Sequence, residues 1–79
     1  MFDFRDVVYR FRVFNPNGEI VETQDFRQAY EYARYESREQ LDQRYLEQRA
    51  RRGYVPGEIV IIRIETGGIM ATFPGFARP

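Results

Sequence analysis

The sequence predicts an α+β fold in the order ββαββ. Four strands form a mostly antiparallel sheet, and one long helix, kinked or continuous, packs on one face. Three observations predict it. Two pairs of apolar segments are each joined by a short turn-forming run, Asn15-Pro16-Asn17-Gly18 and Thr66-Gly67-Gly68. Between the pairs, from Phe26 to about Arg52, the chain is rich in Glu, Gln, Arg, Ala and Leu, all good helix formers. The 79 residues suffice for one domain, read as 1–79 with 74–79 as a short C-terminal tail.

The first strand is read at Val7–Phe14. Val7, Tyr9, Phe11 and Val13 share one face, and Arg10 and Arg12 point the other way. In the turn that follows, proline pre-sets its own dihedral, and Asn and Gly tolerate positive φ. Glu19–Thr23 returns as the second strand of a hairpin. Asp25 and Gln28 then stand three apart, as in a capping box, before the helical stretch. At 100° per residue, Phe26, Ala29, Tyr30, Ala33, Ser37 and Leu41 form one stripe for the sheet, with Tyr45 on its edge. Tyr32, Tyr35 and Leu46 fall on a different face. Either the helix breaks near Ser37, where Ser37-Arg38-Glu39-Gln40 is itself a capping pattern, or one long helix carries a second apolar strip. The continuous helix, bent near Ser37, is the favoured reading.

Gly53 supplies a left-handed cap, with arginines in the last turn against the negative end of the helix dipole. Tyr54–Gly57 is read as a loop. Glu58–Glu65 is the clearest strand, its β-branched run suiting a central position. Ile69–Phe73 returns as the fourth strand. The sheet face away from the helix is expected to carry Arg10, Arg12 and Arg63 with either Ile59/Ile61 or part of the last strand. A partner or a second copy would cover it, unless the tails with Phe2, Phe4 and Phe76 fold over it.

The absences narrow the chemistry. There is no Cys and no His, and all twelve basic residues are Arg. Thiolate sites, disulfides, imidazole bases and lysine Schiff bases are therefore excluded. The lack of lysine reflects either a GC-rich coding genome or a surface that favours planar, bidentate donors. The single serine, Ser37, has no nucleophile motif around it. The carboxylate pairs Asp3/Asp6, Glu36/Glu39 and Glu39/Asp42 read as solvated, so the chain is read as non-enzymatic, without cofactor or metal. No apolar run reaches the length of a membrane span, and the N-terminus has no secretory pattern, so a cytoplasmic address is expected.

Twelve acids balance the arginines, which argues against a strong general pull toward nucleic acid. In Tyr9–Phe14 the arginines and aromatics alternate, so they cannot line one groove together. Arg44, Arg49, Arg51 and Arg52 make the one basic cluster. The segment Asp25–Ala33 resembles the strand-to-helix junction of the arm-type DNA-binding domains of tyrosine integrases. Those domains place three strands before the helix, and two are apparent here. The resemblance assigns no family.

Tyr and Arg are the side chains most enriched at interface hot spots. The expected function is therefore a small protein-binding module. It would act as a steric inhibitor or adaptor of a larger complex, of the kind phages and mobile elements encode against host defences. Tyr32, Tyr35, Arg38, Leu46, Arg44, Arg49, Arg51 and Arg52 are the candidate contacts, and Arg10, Arg12 and Arg63 a secondary surface. A homodimer through the strip or the open sheet face fits the same features. The alternative is a nucleic-acid-binding accessory domain built on the arginine cluster.

Overall fold

A computed structural model describes residues 9–79. Val7, Val8, Phe2, Phe4 and the Asp3/Asp6 pair lie outside the described residues. The elements run β1 (Phe11–Phe14), β2 (Ile20–Thr23), α1 (Phe26–Gln40), α2 (Leu46–Arg51), β3 (Val55–Arg63) and β4 (Ile69–Ala77). They form an α+β fold, with a four-stranded antiparallel sheet in the order β2-β1-β3-β4 and α1 packed on one face.

Both hairpins close as their turn residues dictate. Gly18 sits at φ 88° and donates its N–H to the Asn15 carbonyl at 2.9 Å, while the Asn15 side chain accepts the Asn17 N–H. Gly67 takes φ 70° and donates to the Arg63 carbonyl at 2.7 Å. Either position would strain any residue with a side chain.

The core is the layer between the sheet and α1. Val13, Ile59 and Ile61 on the two central strands are fully buried against Ala29 and Ala33 of the helix. The two alanines let the helix lie close to the sheet. Phe11 and Phe26 meet edge to face at 5.3 Å, closing the layer at the start of α1. Register fixes the two faces. Ile61 pairs Val13 and Ala71, and Arg63 pairs Phe11, so Arg63 stands on the helix side with Ile59 and Ile61. The open face instead carries Arg12, Phe14, Val60 and Ile62, with Ile20 and Glu22 beside them on β2. The expected grouping of Arg63 with Arg10 and Arg12 is corrected accordingly. The guanidinium of Arg63 lies 3.8 Å over the ring of Tyr9.

The helical region divides, and not at Ser37. Ser37 is buried within a continuous α1 and donates its hydroxyl to the Pro74 carbonyl at 2.6 Å. The break comes at residues 41–45. There the Asp42 carboxylate accepts the Arg44 backbone N–H at 3.0 Å, an Asx turn that competes with helical hydrogen bonding. Arg49 then reaches back to donate to the carbonyls of Glu39 and Gln40, satisfying the exposed end of α1. At the start of α1, Asp25 accepts the Arg27 N–H at 2.9 Å as expected of a cap. Gln28 does not close a box; its side chain accepts the Thr23 hydroxyl instead. After α2, Gly53 at φ 88° donates to Ala50 and Tyr54 to Arg49, the paired bonds of a Schellman cap.

β1 and β2 are shorter than the sequence suggested, without Tyr9, Arg10 or Glu19, while β3 starts earlier and β4 ends later. β3 begins at Val55, where a loop was expected. β4 continues through Pro74 to Ala77, into the segment read as a tail. Proline is tolerated because β4 is an edge strand. The free edge there is closed by side chains: Gln40 accepts the Phe76 N–H at 2.9 Å, Asn17 donates to the Phe76 carbonyl, and Ser37 donates to that of Pro74. An edge so occupied is a poor template for strand addition.

Candidate functional site

The most exposed chemistry lies on the outer surface of α1. Tyr30, Arg34 and Arg38 follow one another at i, i+4 and i+8, with Tyr35 beside them. Tyr30 packs its ring edge on Phe73 of β4 at 5.1 Å yet stays 41% exposed, and Tyr35 is 60% exposed. Arg34 and Arg38 are exposed and form no ion pair among the described residues. Arg27 and Glu31, one turn earlier, pair with each other at 3.4 Å. Phe26, Arg27, Tyr30, Glu31 and Arg34 line a shallow depression beside this surface. The helix beneath is held at both ends, by the Asp25 cap and by the bonds from Ser37 and Gln40 to β4. The aromatic and guanidinium groups are thus presented on a rigid element.

The residues expected together from the sequence divide into three places. Tyr35 and Arg38 share the surface just described. Tyr32 does not. It packs half-buried against the core on the β2 side, its hydroxyl 3.5 Å from Glu19. Burial, then the carboxylates of Glu36 and Glu19, push its phenol above the ordinary value. Leu46 is half-buried at the start of α2, beyond the break. Tyr30 and Arg34 were missed. Tyr30 was assigned to the buried stripe, but Ala29, Ala33 and Ser37 form that stripe and leave Tyr30 at its margin. The sequence did not single out Arg34: Glu31 stands three residues before it, and only the structure shows that carboxylate taken by Arg27.

The arginine cluster is largely engaged within the chain. Arg44 is paired with Asp42 at 2.7 Å, Arg51 with Glu47 at 2.5 Å, and Arg49 serves the end of α1. Arg44 and Arg49 also flank the ring of Tyr45, at 5.5 and 5.7 Å from its centroid. Arg52 is exposed without an ion pair among the described residues. On the secondary surface, Arg12 is paired with Glu22, its Nε 2.8 Å from the carboxylate. Arg10 and Arg63 both approach Glu65, at 3.6 and 3.9 Å.

Hydrogen bonds from the Arg44 side chain, then from its backbone, hold the Asp42 carboxyl at about 2, below its ordinary 3.8. A carboxyl depressed on folding contributes stability at higher pH and withdraws it as pH falls through that interval. The Asp42-dependent part of stability is therefore expected to vanish between about pH 4 and pH 2. Asp42→Asn keeps the turn-forming oxygen but not the charge. Acid titrations of both proteins, followed by urea unfolding, should give a flatter profile for the variant across that window. Parallel profiles would contradict the assignment.

A polar cleft lies where the β1–β2 turn, the end of α1 and the end of β4 meet. Asn15 is 5% exposed at its base; its carbonyl oxygen accepts from Asn17 and Gln40, and its amide donates to Glu36. These bonds satisfy one another and fasten the turn to the helix. Glu36 and Glu39 both line the cleft. No group of three or more acidic residues among the described residues is placed to hold a metal ion. No helix among the described residues is long and apolar enough to cross a membrane. The chain matches no protein-family model, no curated protein and no solved structure.

Proposed function

We propose that the protein is a non-enzymatic binding module that docks on a larger protein and blocks or bridges it sterically. The observation that carries this reading is the outer surface of α1. Two exposed tyrosines and two arginines that form no ion pair among the described residues stand there on a fastened helix. Tyrosine gives large contact area for few rotatable bonds, and arginine offers planar donors to carboxylates, so such groups are typical interface anchors. The partner surface that fits is acidic, with an apolar recess for Tyr35. The nucleic-acid alternative would draw on the arginine cluster, most of which is already paired with Asp42, Glu47 and the end of α1.

The test separates binding from folding. Tyr35→Ala should leave the unfolding midpoint nearly unchanged and weaken partner binding about thirty-fold, the scale of a hot-spot residue. A phosphate-centred interface would instead lose affinity steeply with log salt. Unchanged binding by Tyr35→Ala, or a steep salt dependence removed by nuclease, would contradict the proposal.

A further inference from the structure

The sheet face opposite α1 has a different character. Phe14, Val60 and Ile62 form its centre, and Ile20 and Ile69, at 58% and 67% exposed, form its flanks. No described element lies over it. We propose that a second copy of this chain covers this face, giving a two-fold, face-to-face sheet sandwich.

Three features select a second copy over another partner. The first is charge. The open face carries both signs, with Arg12 and Glu22 at one end and Glu58 at the other, so a copy turned end over end meets opposite charge. The second is symmetry. Rows run across the sheet as Glu22, Arg12, Ile62, Ile69, then Ile20, Phe14, Val60, Thr72, then Glu58, Pro74. A two-fold axis across the strands through the middle row stacks Phe14 and Val60 on their own copies. It also brings Arg12 of one copy to the Glu58 end of the other. With strands about 4.8 Å apart and packed sheets about 10 Å apart, an arginine and a glutamate reaching toward each other span that offset. Such a contact is self-complementary, as an isologous interface requires.

The third feature is size. At about 16 Å² per strand residue, the described strands give a footprint of roughly 400 Å² per copy. Side-chain relief raises the total for two copies to about 1,000 Å², the lower margin of a specific interface. The dimer is therefore weak, and the formal net charge of zero adds no long-range repulsion between copies.

Sedimentation equilibrium of the full chain over a range of concentrations tests this directly. A reversible dimer is expected. Val60→Arg should abolish it while the circular dichroism spectrum stays native. Glu58→Arg alone should weaken dimerisation about ten-fold, and Arg12→Glu/Glu22→Arg/Glu58→Arg, which keeps the Arg12–Glu22 pair with its signs exchanged, should restore most of it. Tyr35→Ala should dimerise normally, so this test stands or falls apart from the proposed function. A monomer at every concentration overturns the proposal, as does a dimer insensitive to Val60→Arg. A triple reversal no better than Glu58→Arg alone overturns the axis.

Discussion

Ile61→Ala is expected to cost about 2–5 kcal/mol, the range for emptying a well-packed site. Ile61 is fully buried on a central strand, between Val13 of β1 and Ala71 of β4. A domain this small has only about 5–10 kcal/mol of stability, so the loss should lower the unfolding midpoint by roughly 10–30 °C. The informative comparison is the next residue. Ile62 points to the open face and is only half-buried. At concentrations where copies stay apart, Ile62→Ala should cost less than about 1.5 kcal/mol, since little cavity forms. A run of β-branched residues does not by itself say which alternate positions face the core; the pairing register does. Chemical denaturation of both variants checks the register. If Ile62→Ala costs more than Ile61→Ala, β3 is displaced by one residue and the two faces exchange.

Gly75→Ala should be the second large effect, at about 2–3 kcal/mol, from overpacking and broken hydrogen bonds together. Gly75 is buried, and a methyl there would fall onto the Gln40 side-chain amide oxygen, with Ile59 Cγ1 in contact behind it at 3.4 Å. The end of a glutamine usually moves easily. Here it is tied on both sides, accepting the Phe76 N–H at 2.9 Å and donating to buried Asn15 at 3.0 Å. Moving it strips a partner from the edge of β4 and from the Asn15 network. Gln40→Ala should therefore soften the effect of Gly75→Ala, with a coupling of about 1 kcal/mol in a double-mutant cycle. Strict additivity of the two changes would show that the glutamine is not the obstacle.

Much of the fold was legible because local chemistry and long-range packing agree. The Asn15–Gly18 and Thr66–Gly68 turns, the Asp25 cap and the Gly53 stop each have one residue type that the backbone requires. The helix break was not legible. It rests on Asp42 bonding the backbone two residues on and on Arg49 serving carbonyls nine and ten positions back. A periodicity count sees neither. The extra length of β4 was hidden for a similar reason: Pro74 ends an inner strand but not an edge strand whose outward groups are met by Ser37, Gln40 and Asn17.

The candidate surface was half legible. Tyr35 and Arg38 followed from the helical wheel. Tyr32 was misplaced because the β1–β2 hairpin, invisible to the wheel, covers its flank near Glu19. Tyr30 was misplaced because Ala29, Ala33 and Ser37 bring the helix axis close to the sheet and leave the larger ring at the margin, against Phe73. Arg44 looked free because its pairing with Asp42 depends on the turn geometry rather than on helical spacing, whereas the Glu47–Arg51 pair at i, i+4 follows from the sequence.

In the proposed function this chain holds another protein through the Tyr30/Arg34/Tyr35/Arg38 surface. Affinity capture of the tagged protein from nuclease-treated cell lysate, run beside Arg34→Glu/Tyr35→Ala, tests this. A stoichiometric protein partner should survive nuclease and disappear with the double variant, while the variant stays folded. A partner retained by the double variant, or nucleic acid as the sole co-purifying species before nuclease treatment, would contradict it.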